Sequence, residues 1–516
     1  MGRDDYDDEE SYYEDDDEFG DEFDDQPVDM RSRLAAVLGT SYGISIVVHG
    51  IIALLLTLIV LAAPEKKKEA VVMAQNQVQE QEYDEEVERA MEKTPKIEAQ
   101  EVVEKPIIVL EEEVTFESET PKGTDFSNLS NKNLDSTSAN DAYGAGGGAA
   151  GAYGSRFGKG SLAKEGGSPG TESAVRGALR WLKRAQSKDG RWDSDGWTHM
   201  AEHKSEIPGA NEAGDGRYDV GLTGLALLAF LGNGQTHRAG PFKRTVNSGL
   251  KWLKQQQHSN GALGYSASHG ESIYNHAIAT MALCEALAVS RDFRLRKNAE
   301  KAIKFCIDAQ NPGFGWKYSL KSGRNDTSVT GWMVLALKAA KSAEIKVPDE
   351  AFDAARAWFD AATDGGGNVG YESPGGGSAY LPQNEGKYDP VPCMTGVAVI
   401  CRIFTGERSS SDAVRKGAKI LMDNQPNWDD KNDIKELNFY YWYYGTYAMF
   451  QIGGPKWQTW NKAMQKALLP RQRRKGPEDG SWDPVGEWCL AGGRVYATAI
   501  NALTLEIYYR YERANH

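Results

Sequence analysis

The chain has 516 residues, with 59 Lys and Arg against 74 Asp and Glu and a formal net charge of −15. That imbalance sits in residues 1–30, where sixteen acidic residues face one basic residue, Arg3, and the remainder balances at 58 against 58. No basic stripe interleaved with aromatics occurs, which speaks against nucleic-acid binding; five cysteines without a C-x-x-C pair signal no zinc or disulfide framework and read as buried, reduced thiols.

Residues 1–42 form an acidic tail. A run such as Asp15-Asp16-Asp17-Glu18 repels itself and buries nothing, so disorder is expected. From Gly43 to Ala63 follow 21 uncharged residues, mostly Ile, Leu, Val and Ala. At about 1.5 Å per residue they span a hydrocarbon core of about 30 Å, which predicts one transmembrane helix over 43–63. The long polar segment before it makes this an anchor, not a cleaved signal peptide. Arg31 and Arg33 precede the span and Lys66-Lys67-Lys68 follow it, so flanking charge nearly ties on orientation. Ser45 and His49 lie one turn apart on one face, and a histidine at membrane depth marks a functional site. The segment Ser45-Ile-Val-Val-His49-Gly50 resembles the anchor of TonB-family energy transducers. That resemblance implies contact of Ser45 and His49 with ExbB/ExbD-type motor proteins. It also implies a single-pass protein of a bacterial-type inner membrane, with the C-terminal domain periplasmic.

Residues 64–170 read as a flexible linker. The stretch 64–130 is acidic, with 18 acidic and 8 basic residues, and 144–151 and 166–170 are Gly-rich coil.

From 171 to 516 a repeat sets the expectation for the fold. Polar-faced helices are expected near 172–186, 242–257, 296–310, 348–362, 411–423 and 455–468. More apolar ones are expected near 218–231, 272–290, 325–341, 391–405, 437–452 and 492–509. The second set carries small residues in a stripe (Gly221, Gly224, Ala277, Ala279), suited to a crowded inner layer. Six such pairs predict an all-α fold, an (α/α)6 toroid of six helical hairpins. The apolar last helix, Val495–Tyr508, favours closure over an open solenoid.

The loops support a resemblance. Trp181-Leu182, Gln186 and Asp189-Gly190-Arg-Trp192 look like the QW repeat of triterpene cyclases. Partial copies occur at Gln257…Gly261…Tyr265, Gln310-Asn-Pro-Gly313-Phe-Gly-Trp316, Gly370-Tyr371 and Asp479-Gly480-Ser-Trp482. Residues 171–516 therefore resemble the squalene-cyclase/protein-prenyltransferase repeat family, in which the Gln amide caps a neighbouring helix end and the Trp stacks on it. The chemistry of that family does not transfer. Where its cyclases carry an Asp-x-Asp-Asp-Thr acid box, this chain has Gly323-Arg324-Asn325-Asp326-Thr327, and Asn325 cannot protonate an alkene. The zinc set of the prenyltransferases is not matched by Asp389, Cys393 and His276. No metal site and no cofactor are expected.

What remains is the rim where inner-helix N-termini open. It gathers Asp219, His276, Asp326, Asp389, Tyr440, Trp442, Arg494 and Tyr496, a mix suited to an oligosaccharide or peptide. The leading expectation is a tethered binding or scaffold module for a glycan, peptide or protein, with His276, Tyr440, Trp442, Arg494 and Tyr496 as ligand contacts. The alternative is a terpenoid-cyclase-like or glycan-acting enzyme using the carboxylates Asp326, Asp389 and Asp219.

Overall fold

The structure, a computed structural model, describes residues 49, 51, 166–197, 213–377, 391–428, 437–486 and 488–510. Contacts divide the chain into two units, Met1–Glu92 and Lys93–His516. Of the first unit only His49 and Ile51 are described, and both are helical and exposed. The expected tail, the rest of the anchor with Ser45, and the linker through residue 165 lie outside the described residues. No helix among the described residues is long and apolar enough to cross a membrane.

The described part of the second unit holds twelve α-helices and no strand. The odd-numbered helices are amphipathic: α1 (Pro169–Ala185), α3 (Lys243–Gln255), α5 (Arg296–Ala309), α7 (Asp349–Ala361), α9 (Asp412–Asp423) and α11 (Gly454–Leu468). In α1, for example, Trp181, Leu182 and Ala185 are buried while Arg180 and Arg184 reach solvent. Between them lie α2 (Asp219–Gly232), α4 (Ile273–Ser290), α6 (Thr327–Ser342), α8 (Cys393–Phe404), α10 (Phe439–Ile452) and α12 (Cys489–Arg510). These are buried almost all round: every residue of α8, and every residue of α2 after Asp219, is buried. All twelve begin and end at most three residues from the expected positions. A shift of three at the start of α1 comes from Ser168, whose hydroxyl caps the Thr171 amide with Pro169 as the first helical residue, and the start of α12 shifts by as much.

A helix buried on all sides must be surrounded, and the packing shows by what. Each even helix packs on the next, from α2 through α4, α6, α8 and α10 to α12, and α12 packs back on α2. The odd helices lie against this closed inner ring, α1 touching both α12 and α2. Small residues permit the crowding. A Cβ on Gly224 would stand 2.9 Å from the Ala279 backbone, and one on Gly331 would stand 2.3 Å from Val397 Cγ1.

The loops after the odd helices repeat one set of hydrogen bonds. Gln186 Nε2 donates to the Gly190 carbonyl (2.8 Å) and to the Thr245 carbonyl at the start of α3 (3.0 Å). Gln257 does the same to Gly261 (3.2 Å) and to Asn298 of α5 (2.9 Å). Gln310 reaches Phe314 (2.9 Å) and Ala351 of α7 (2.8 Å). Gln472 reaches Gly480 (2.8 Å) and Ala174 of α1 (2.7 Å), so the last link joins the end of the ring to its beginning. The indoles complete the set: Trp192 donates to the Leu182 carbonyl (2.7 Å), Trp316 to Cys306 (2.7 Å) and Trp482 to Leu468 (2.8 Å). Those carbonyls belong to last turns that the helices leave unsatisfied. The roles differ from the expected ones. The amide links one outer helix to the start of the next, and the indole satisfies the preceding helix end. All five cysteines are buried and free.

Candidate functional site

The loops are pinned to the inner ring by a second recurring bond, and this bond sets the geometry of the mouth. A loop amide donates to a side chain about one turn inside an inner helix. Trp192 donates to Thr223 (2.9 Å), Leu263 to His276 Nδ1 (3.1 Å) and Trp316 to Thr330 (3.0 Å). Val369 donates to Thr395 (3.1 Å) and Trp482 to Thr498 (3.4 Å). The residue four positions earlier, one turn nearer the loops, is then Asp219, Ser272, Asp326, Val391 or Arg494. These positions, Arg494 within α12 apart, lie at or just before the starts of the inner helices, where the loops meet the ring.

Asp326 occupies the most developed of them. It is fully buried and caps α6, its Oδ1 accepting from the Val329 amide at 2.7 Å. Its own amide donates to the Trp316 carbonyl (2.9 Å), which brings in the loop carrying Lys317 and Tyr318. On the other side, Thr327 donates from its amide to the Tyr371 carbonyl (3.0 Å) and from its hydroxyl to the Gly370 carbonyl (2.7 Å). That fixes the loop carrying Tyr371 and Glu372. Two loops thus present phenols to one carboxyl. The Tyr318 and Tyr371 hydroxyls are bonded to each other, and Tyr274 from the start of α4 has its ring 6.2 Å from that of Tyr318. Lys317 pairs with Glu372, which Arg324 also holds at 3.0 Å.

Electrostatics single out Asp326. Burial pushes its carboxyl up to about 7, with nearby Glu372 adding to the rise, while the Val329 amide, Lys317 and the Tyr371 phenol pull the other way. Its second oxygen, Oδ2, has no hydrogen-bond partner among the described residues. The phenols stay neutral: burial pushes Tyr318 up to about 12 and drives Tyr371 and Tyr274 further. For Glu372 burial works upward, but Lys317 and Arg324 outweigh it and hold the carboxylate below its ordinary range. The cluster therefore combines a proton-holding carboxyl near neutrality, three phenol donors and a charged Lys-Glu-Arg edge.

The other expected residues fall into three groups. Tyr440 and Tyr496 join this neighbourhood. The Tyr440 hydroxyl bonds the Ser328 hydroxyl (2.8 Å), two residues from Asp326, and Tyr496, its hydroxyl buried and without a partner among the described residues, is electrostatically coupled to Tyr440. Trp442 packs instead against Trp428 (6.1 Å) and Phe439 (5.5 Å). Arg494 and His276 are held by structural bonds. Arg494 is fully buried, donating to Ser481 (2.9 Å) and Asp483 (2.7 Å). His276 stands where the other repeats use threonine, accepting the loop amide through Nδ1 while Nε2 faces Cys306 Sγ at 3.2 Å. Burial lowers its pKa to about 3, so the ring is neutral. Asp389 lies outside the described residues.

Asp219 heads a separate group. One of its oxygens accepts from the Ser194 amide at 3.0 Å, and burial pushes the carboxyl up to about 6 against that bond. Asp193, Asp195 and Asp219 each place an oxygen within 4.8 Å of the others, a spacing that could hold a cation. Beside them, between the starts of α2 and α4, is a cleft of about 200 Å³ lined by residues including Arg217, Tyr218, His269 and Glu271.

Sequence reasoning missed Lys317, Tyr318, Tyr371 and Glu372 as site residues. Tyr371 had been counted as a repeat-loop position, and the signal was its place directly after the glycine of that loop.

No known protein family matches the chain, and no curated protein matches it. Among solved structures it is similar to a novel alpha-amylase from Clostridium perfringens, at 14% identity, over 65% of this chain and 97% of that one, with a TM-score of 0.41. A protein from Actinoplanes matches at 16% identity, over 66% and 99%, with a TM-score of 0.38. An inactive variant of an alpha-1,6-mannanase from Salegentibacter sp., in complex with alpha-1,6-mannotriose, matches at 10% identity, over 65% and 98%, with a TM-score of 0.45. At such values these likenesses fix neither family nor activity.

Proposed function

We propose that residues 171–516 form an (α/α)6 toroid of six helical hairpins that acts as an enzyme on a glycan, with Asp326 as its general acid. The observation that supports this reading is the Asp326 carboxyl, fully buried and raised to about 7, with Oδ2 left without a hydrogen-bond partner among the described residues and the Tyr371 phenol close by. A structural N-cap needs one oxygen in contact with an amide, and Asp326 Oδ1 already does that work. The second oxygen, protonated near neutrality, is suited to give a proton to a leaving oxygen. Phenol hydroxyls and aromatic faces together match a polyhydroxylated ring, whereas a bare isoprenoid would leave the hydroxyls and the Lys317–Glu372 pair unmatched. The residue that would complete a hydrolytic pair is a carboxylate across the mouth. Asp389 and Asp219 are the candidates that the sequence offers.

The test is release of new sugar ends from a panel of neutral polysaccharides, with Asp326→Asn beside the native chain. Turnover is expected to fall by about 10²- to 10⁴-fold in the variant while binding of the same polysaccharide persists. Unchanged turnover in Asp326→Asn would overturn the assignment of the acid. Binding by the native chain without turnover on any substrate would return the molecule to the scaffold reading.

A further inference from the structure

We propose that the cleft between the starts of α2 and α4 is a second sugar subsite, holding a ring of the same chain whose bond Asp326 would break. The proposal rests on the glycan reading of Asp326 and adds to it where the rest of the substrate lies. Ser272, which lines the cleft, holds the position in α4 that Asp326 holds in α6, each four residues before the side chain that takes a loop amide. The two helices pack on each other, and packed helices lie about 8–10 Å apart, a gap that a short oligosaccharide bridges. The two sites also share a wall. A Cβ on Gly270 would stand 2.7 Å from the Tyr318 Cβ, and the Tyr265 hydroxyl donates to the Tyr318 carbonyl at 3.4 Å. Burial does most to push the Tyr218 and Tyr318 phenols up, and the Glu271 carboxylate of the cleft adds to the rise in both, so it stands near both sites.

The lining decides what fits. The volume of about 200 Å³ lies below the roughly 300–1,000 Å³ of sites for drug-sized ligands and suits a single ring. The half-buried Tyr218 phenol gives such a ring an apolar face to lie on. The Ser266 and Ser268 hydroxyls are bonded at 2.7 Å, and Ser268 reaches His269 Nδ1 at 3.1 Å. With Glu271 beside them, these groups offer donors and acceptors to sugar hydroxyls. An apolar ring would leave them unmatched, and an acidic one would meet Glu271 and find Arg217 already held by Asp215 at 2.5 Å. The walls are fixed in place. Asn275 donates to the Arg217 carbonyl (2.8 Å) and accepts from the Gly221 amide (3.1 Å), which ties α4 to the start of α2. The Ser272 hydroxyl accepts from the Ser266 amide at 2.7 Å, and the Arg217 guanidinium lies 5.8 Å from the centre of the Tyr218 ring. Walls already in position reduce the ordering cost of binding.

The experiment uses the full-length chain and neutral oligosaccharides of glucose and of mannose, from the monosaccharide to the hexasaccharide. Affinity is read by calorimetry and turnover by release of new sugar ends. In native protein affinity should rise with the first added units and then level. Tyr218→Ala should remove most of that rise and bind the longer chains about tenfold more weakly. Glu271→Gln, at an exposed position, should melt like native protein and bind them several-fold more weakly, which separates contact from folding. Native-like binding of every length by either variant would overturn the subsite, as would native protein that binds none of the series or binds all lengths equally. Asp326→Asn should keep the rise with length and lose turnover. Unchanged turnover in Asp326→Asn, with the loss in Tyr218→Ala intact, would overturn the acid and leave the subsite standing.

Discussion

The loops after the odd helices and the start of α6 at Asp326 are built from the same repeat and differ in the kind of polar group they bury. In the loops, Gln186, Gln257, Gln310 and Gln472 each serve two carbonyls, and three indoles satisfy helix ends. At Asp326 the repeat position carries a fully buried carboxyl with Oδ1 bonded and Oδ2 without a partner among the described residues. Gln472 Oε1 is also buried without a partner among the described residues, but an amide cannot ionise; the bonds from Nε2 hold the fold together at every pH, whereas a buried carboxyl gives up local stability once it is charged. Four substitutions test that division.

The largest effect is expected at Trp482. Its ring is completely buried, and its indole bonds the Leu468 carbonyl at the point where the ring closes. Trp482→Ala should cost about 3–5 kcal/mol in denaturant unfolding, from the cavity and the abandoned carbonyl together. A loss below about 1 kcal/mol would mean that the loops decorate the ring and do not hold it.

Asp326→Asn should do the reverse. The folded carboxyl titrates near 7, whereas an unfolded one titrates near about 3.9. Between those values the folded state holds the extra proton, so this group's contribution is complete below about pH 4 and declines as pH rises to 7. At about 1.4 kcal/mol per unit the decline approaches roughly 4 kcal/mol. Asparagine does not ionise and can still accept the Val329 amide, so it escapes the decline. The variant should therefore be more stable than the native chain at pH 8, with the advantage shrinking toward zero near pH 4. A variant less stable at both pH values would make Asp326 a structural residue like Trp482.

The same division explains what could be read before the fold was known. Twelve helices were legible to within three residues, because an amphipathic outer helix and an all-round apolar inner one have different patterns. A histidine near a rim invites a chemical reading, and in the fold His276 also carries a loop bond. Only alignment of the repeats by their loop amides reveals that it replaces Thr223, Thr330, Thr395 and Thr498. Arg494 likewise bonds Ser481 and Asp483 in the adjoining loop, partners that its spacing in the chain does not disclose. The sequence places Asp326 at the start of an inner helix but does not place Tyr318 and Tyr371 beside it. Tyr318 and Tyr371 reach it through the bonds from Asp326 to Trp316 and from Thr327 to Tyr371, which no spacing in the chain discloses.

The smallest predicted effect separates two members of one motif. Gln472 is buried, and its amide holds Gly480 and Ala174 away from solvent. Gln310 makes the equivalent bonds to Phe314 and Ala351 in a more open loop. Removing either amide leaves a loop carbonyl without its donor and takes a second bond from a helical carbonyl, and water can replace the donor only where it can reach. Gln472→Ala should cost about 1–3 kcal/mol and Gln310→Ala about 0.5–1 kcal/mol, measured side by side in urea. Equal losses would show that the amides act by joining successive outer helices, whatever their exposure. A larger loss at Gln472 would show that the link which closes the ring is strong because it is dry.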